Sequence, residues 1–266
     1  MINIYIVAKC KAFFLPSSPY VWPLGALERL APFAGQIGAS IKSELENDGK
    51  EKTANVPRNW NVMNVPKERA EEFLMYMDCK SIAPANALAD VVSFKKDYRC
   101  ERLLDVAGGS GRYSVAISRQ GVECTVLELP SIVDSAIEYL MDTEVKALSG
   151  DILTSIPTGY DAHLFCDTIH MFNRTDAVNI LKNSFNSLPN GGHIFLSNAL
   201  VNDHKTGPRN AIYFYVFMFL MNAGYSYSGE EFREMLEEAG FSEVCFFPYY
   251  GHYILISAQK RQISVK

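Results

Sequence analysis

The chain has 266 residues, a net charge of −5 at pH 7 and a pI near 5.6, enough for one large core with an appendage and without the basic footprint that nucleic acid requires. Six cysteines (Cys10, Cys79, Cys100, Cys124, Cys166 and Cys245) show no C-x-x-C spacing, which fits free thiols in a reducing, cytoplasmic setting. The start, MINIYIVAKCKAFFL, lacks a charged leader before an unbroken apolar core, and the longest apolar run, residues 211–221, is too short to cross a bilayer; no membrane partner is expected.

Residues 1–64 are the least legible part, with a turn at Pro16-Ser17-Ser18-Pro19 and a charged, glycine-containing stretch from Ser43 to Thr53. From Pro66, apolar positions Ala70, Phe73, Leu74 and Met77, followed by Ile82, Ala85, Leu88, Ala89 and Val92, predict two helices. The run Leu103-Leu104-Asp105-Val106-Ala107 then stops at Gly108-Gly109-Ser110-Gly111 and passes into helical spacing from Arg112. This is a strand, a glycine turn and a helix start, where backbone N–H groups and the helix dipole suit a nucleotide-like ligand. A dinucleotide fingerprint would need glycine at position 114, which is Ser114, so the nicotinamide reading weakens. A bulky residue in place of Gly111 is expected to intrude on the ligand's space and to resist a positive φ.

A second strand, Glu123 to Leu127, ends in Glu128-Leu129-Pro130, placing a carboxylate where it can accept two ribose hydroxyls. A third, Val145 to Leu148, leads to Ser149-Gly150-Asp151-Ile152 and a further acid at a strand end. Then come a strand from Asp161 to Cys166, the segment Asp167-Thr168-Ile169-His170, a helix with Ala177, Ile180, Leu181, Phe185 and Leu188 inward, and a strand from His193 to Ala199. An aromatic helix over 211–221 follows, then a capping box at Ser228 and Glu231 and a terminal hairpin turning at Tyr249-Tyr250-Gly251.

Taken together, the glycine turn, Glu128, Gly150-Asp151 and His170 resemble the class I S-adenosylmethionine-dependent methyltransferases, in the small-molecule O-methyltransferase family that includes the caffeate and acetylserotonin enzymes; the likeness runs from about Val65 to Ala258. It implies an α/β, Rossmann-like, doubly wound, mostly parallel seven-stranded sheet with a C-terminal antiparallel hairpin, plus a small remnant N-terminal helical region. Residues 1–64 would be that remnant of a dimerisation region with its linker, and 65–266 the S-adenosylmethionine-binding domain. With most of the dimerisation region missing, only a weak homodimer is expected.

The resemblance further implies cofactor contacts from Asp105, Ala107, Gly109, Gly111, Glu128, Leu129, Asp151, Ile152 and Cys166, and acceptor contacts from Met77, Phe172, Asn198 and Tyr215. Ala107 stands where relatives usually have the first of three glycines. The Met75-Tyr76-Met77 neighbourhood reads equally as a core stripe. His170 matches the family's catalytic histidine, although its motif, usually His-Asp-Trp, here runs His170-Met171-Phe172. Glutamates that orient this histidine in relatives are matched by Asn198 and Ser226, neither charged. Methyl transfer is mainly alignment, with a general base taking a hydroxyl proton, so a small, aromatic, acidic acceptor is expected. C- or N-methylation, another reaction on this scaffold, and a cofactor-binding protein without catalysis are the alternatives. The five histidines show no metal-ligand spacing, so no metal is expected.

Overall fold

The computed structural model describes residues 67–212, 214 and 224–261. The expected N-terminal remnant lies outside them, as does most of the aromatic helix, Tyr215 included. The described chain opens with α1 (Lys67–Val91) and the short α2 (Phe94–Asp97). It continues through β1 (Arg102–Val106), α3 (Arg112–Ser118), β2 (Glu123–Glu128), α4 (Val133–Leu140), β3 (Lys146–Ser149) and β4 (Ala162–Cys166). After a 3-10 turn (Ile169–Met171) come α5 (Arg174–Ser187), β5 (His193–Ala199), α6 (Gly229–Glu238), β6 (Ser242–Tyr250) and β7 (Tyr253–Gln259).

The seven strands form one sheet in the order β3-β2-β1-β4-β5-β7-β6. The first five pair in parallel, and β7 lies antiparallel between β5 and β6. This is the doubly wound sheet with a terminal hairpin that the sequence predicts. Parallel strands are covered on both faces and read as continuous apolar runs, and alternate residues serve the two faces. Leu104, Phe165, Ile194 and Leu196 pack with Ala177, Ile180 and Leu181 of α5 and with Phe232, Met235 and Leu236 of α6. Leu103, Leu164 and Phe195 pack on the other face with Leu88 of α1, Phe94 of α2 and Ile117 of α3.

Local signals hold the helix ends. Asn173 caps α5 by accepting from Asp176 N–H at 2.9 Å. Ser228 and Glu231 exchange side-chain and backbone hydrogen bonds at the start of α6, the capping box expected there. The sequence differs from the structure between residues 67 and 91, where one helix of 25 residues replaces two. In that helix the polar stretch Asp78-Cys79-Lys80 is docked by ion pairs, buried Asp78 with Arg112 and half-buried Lys80 with Asp167. Pro84 sits inside the helix and, having no N–H, leaves the carbonyl four residues earlier, Lys80, without its helical donor.

At the end of β1, Ala107 takes φ +55°. An L side chain pays for this left-handed region and glycine does not. Ala107→Gly is therefore expected to raise the free energy of unfolding by about 1 kcal/mol, read from a urea titration with unchanged m-value. An unchanged midpoint would show that the turn is not strained there.

Candidate active site

Parallel pairing brings the carboxyl ends of β1, β2, β3, β4 and β5 to one edge, where all the described sequence-predicted site residues but Met77 lie on or follow a strand. The glycine turn is braced from below by Asp105, which is fully buried. Its Oδ2 accepts from Ser114 Oγ at 2.8 Å, and a Cβ at Gly108 would come within 2.6 Å of its Cγ. Burial pushes the Asp105 carboxyl up to about 7, the Ser114 hydrogen bond opposing only part of that shift. Asp105 thus supports the turn from inside.

Glu128 ties the turn to the second strand. One carboxylate oxygen accepts Gly109 N–H and the other Leu129 N–H, each at 2.9 Å. Burial raises its pKa, and these two backbone donors pull it back in part. A carboxylate has about four lone-pair sites, so capacity remains on both oxygens for a vicinal diol. Above the turn, the Cβ position of Gly109 meets nothing closer than Leu74 Cδ2 at 3.6 Å. Leu74, Leu129 and Ile132 make a small apolar cluster beside it. Asp151 Oδ1 accepts Leu153 N–H at 2.9 Å, fixing its own turn, and Ile152 is buried beside it. Cys166 ends β4 as a buried free thiol, held protonated by that burial.

His170 lies in the 3-10 turn after β4 and is buried. Its Nδ1 is 3.1 Å from Asn198 Oδ1 on β5; a carbonyl oxygen only accepts, so Nδ1–H donates and the lone pair resides on Nε2. Phe214 meets the imidazole edge to face at 5.2 Å. A Cβ at Gly224 would overlap the His170 carbonyl, which also accepts Tyr225 N–H at 2.5 Å. Ser226 is buried nearby in sequence. Phe172 is half-buried against the core and gives its carbonyl to Tyr227 OH at 2.7 Å. Met77 is half-buried on α1. Burial lowers the His170 pKa, Asp167 and the Asn198 hydrogen bond raise it, and Lys80 lowers it.

Three features escaped the sequence reading. Lys80 Nζ reaches Asp167 Oδ2 at 2.6 Å across 87 residues, and Tyr253 OH donates to the same oxygen at 3.0 Å. Arg112 forks onto Asp78 with contacts of 2.8 and 2.6 Å, so two ion pairs dock α1. Only the Asp167-Thr168-Ile169-His170 string hinted at the first. The third is a correction: a Cβ on Gly111 would meet Leu140 Cδ2 at 2.8 Å and Val126 Cγ2 at 3.0 Å, so a side chain added there would enter the core and not the ligand's space. Among the described residues no group of three or more His, Cys, Asp or Glu is arranged to hold a metal, and no helix is long and apolar enough to cross a membrane.

A family model described as the O-methyltransferase domain matches residues 48–242. The chain belongs to that family. Among curated relatives, it is 31% identical over 150 residues to 3-hydroxy-5-methyl-1-naphthoate 3-O-methyltransferase of Streptomyces sahachiroi, covering 54% of this chain and 44% of the relative. It is 29% identical over 172 residues to L-tyrosine C(3)-methyltransferase of Streptomyces lavendulae, covering 60% and 47%. This O-methyltransferase-family chain thus spans about half the length of those relatives. Human N-acetylserotonin methyltransferase, solved in complex with S-adenosylmethionine, superposes with a TM-score of 0.74 at 17% identity over 86% of this chain and 66% of that one, which establishes the shared fold.

Since Gly111 has φ +72° as well as core neighbours, Gly111→Val is expected to cost roughly 2–4 kcal/mol of stability from overpacking and backbone strain together, with no ligand present. A melt matching wild type would mean that the turn can lift away from Leu140.

Proposed function

We propose that this chain transfers the methyl group of S-adenosylmethionine to the hydroxyl of a small aromatic acceptor, with His170 as general base. The observation that carries the proposal is the buried His170 with its Nδ1 held by Asn198, which leaves the ring's lone pair on Nε2, at the same sheet edge as the Glu128 carboxylate. The residues fit the cofactor. Glu128 offers acceptors for a ribose diol, the bare Gly109 backbone leaves room above the turn, and Ile152 and Leu129 give apolar flanks to an adenine beside Asp151.

When bound, S-adenosylmethionine supplies a methyl group made electrophilic by its sulfonium. Glu128 then fixes the ribose end, and Ala107 and Cys166 line the approach from β1 and β4. His170 Nε2 accepts the acceptor's proton, Asn198 keeping the ring in the tautomer that permits this. With a lowered pKa, the imidazole is neutral and ready at physiological pH, but it is a weak base, and Asn198 adds no charge to steady the imidazolium. The favoured acceptor is therefore an acidic phenol or enol. Met77, Phe172, Tyr215 and Phe214 are the side chains we assign to its apolar surroundings. Residues 1–64 we read as part of a dimerisation region, separate from 65–266. C-methylation is the second reading, favoured by the likeness to the tyrosine C(3) enzyme; mass spectrometry of the product separates the two.

Glu128→Gln is expected to weaken S-adenosylhomocysteine binding by roughly tenfold to a hundredfold, the worth of a charge-assisted hydrogen bond, in isothermal calorimetry. Tighter binding of NADH than of S-adenosylhomocysteine by the wild type would overturn the cofactor assignment. His170→Ala is expected to lower kcat/KM by about 100- to 10,000-fold for weakly acidic phenols and by much less for strongly acidic ones. Equal rates for mutant and wild type across the series would make His170 structural.

A further inference from the structure

We propose that the half-buried Lys80 and the buried Asp167, paired, set the charge balance around His170, Asp167 supplying the negative charge that steadies the imidazolium and Lys80 limiting it. This rests on the reading of His170 as the base. Where relatives are expected to hold the histidine with a carboxylate, Asn198 is neutral, yet an acid reaches the site by another route. Asp167 follows β4 directly, three residues before His170, at φ +53°, a backbone state that Asp tolerates better than most residues. Its side chain is 5% exposed, and its Oδ2 receives both Lys80 Nζ at 2.6 Å and Tyr253 OH at 3.0 Å.

The pair and the base share one enclosure. The Phe214 ring has the Lys80 ammonium 5.6 Å from its centroid and the His170 ring 5.2 Å away. The Lys80 side chain is 20% exposed and that of Asp167 5%, and partly or fully buried charges are screened less than surface ones. Among the described residues, the groups that face it are Tyr76 and Lys80 from α1, Asp167 from the end of β4, Asn198 from β5, and His252 and Tyr253 from the hairpin. Of these, the two that carry charge at neutral pH are Lys80 and Asp167. Burial, the largest influence on Lys80, would lower its pKa, but Asp167 together with Tyr253 and Tyr76 more than offsets it and the net shift is upward, while Lys80, with His170 and the Tyr253 hydroxyl, keeps Asp167 ionised against the same burial. Each is charged because the other is.

The two members act on His170 with opposite signs, Asp167 favouring the imidazolium and Lys80 opposing it. They are positioning residues, and the signature is in the pH dependence. In the full chain, Asp167→Asn is expected to move the acidic limb of kcat/KM, and the His170 titration followed by NMR of histidine-labelled protein, downward by roughly one pH unit. Lys80→Met should move both upward by a similar amount, and the neutral double variant should return close to wild type. Circular dichroism checks folding, and if one single variant does not fold, the sign of the other decides. Shifts of the same sign, or a His170 titration that moves in no folded variant, would overturn the proposal. Opposite NMR shifts with His170→Ala fully active on every acceptor would instead overturn the base reading alone, leaving the electrostatic coupling in place.

Discussion

Everything in the candidate site depends on one constraint, the parallel register of five strands. Because Val106 pairs with Leu127, Glu128 with Ser149, and Cys166 with Ser197, the strands end level with one another. The first residues beyond them, Ala107, Leu129, Gly150 and Asp167, then fall along one line. No loop needs to be long to bring an acid from β2, a glycine turn from β1 and a histidine from β4 within reach of one small molecule. The switch in winding direction between β1 and β4 opens the crevice in which such a molecule can lie. The helix α1, which belongs to neither wound half, is fastened to this edge by Arg112–Asp78 and Lys80–Asp167.

Three acids at this edge are removed from water and meet different fates. Asp105 has a serine for company and is driven up to about 7. Glu128 has two backbone donors and is raised less decisively. Asp167 alone has a cation, and it alone is held below the ordinary carboxylate range. Desolvation acts on all three, and the partner decides which carries charge. An uncharged or easily neutralised Asp105 beneath the turn and an ionised Asp167 beside His170 are thus results of packing, reached with the same side chain.

Much of this was readable in the residues because parallel strands and glycine turns leave strong local marks. The apolar runs gave β1 to β5 within a residue or two, and the capping box at Ser228 located α6. The hairpin could be seen in its turn residues. What stayed hidden was non-local or conformational. The Lys80–Asp167 contact spans 87 positions and obeys no period. The two helices expected before β1 are one, and its polar stretch Asp78-Cys79-Lys80 is held by ion pairs to residues far along the chain. Spacing named Gly111 as a turn glycine but could not say that it faces Leu140 and Val126, since direction depends on a φ that no pattern records. Ala107 shows the same limit: its identity gave no sign that it would adopt a glycine's backbone.

The position of β7 bears on how this domain is made. Lying between β5 and β6, it is the last of this sheet's seven strands in chain order and the one through which β6 joins the sheet. While the chain is being synthesised N-terminus first, β5 presents an open edge and β6 has no neighbour, so the right-hand side of the sheet closes in a single late event. Tyr253, the first residue of that strand, then delivers its hydroxyl to Asp167. The polar surroundings of His170 are therefore complete only once β7 has paired with β5.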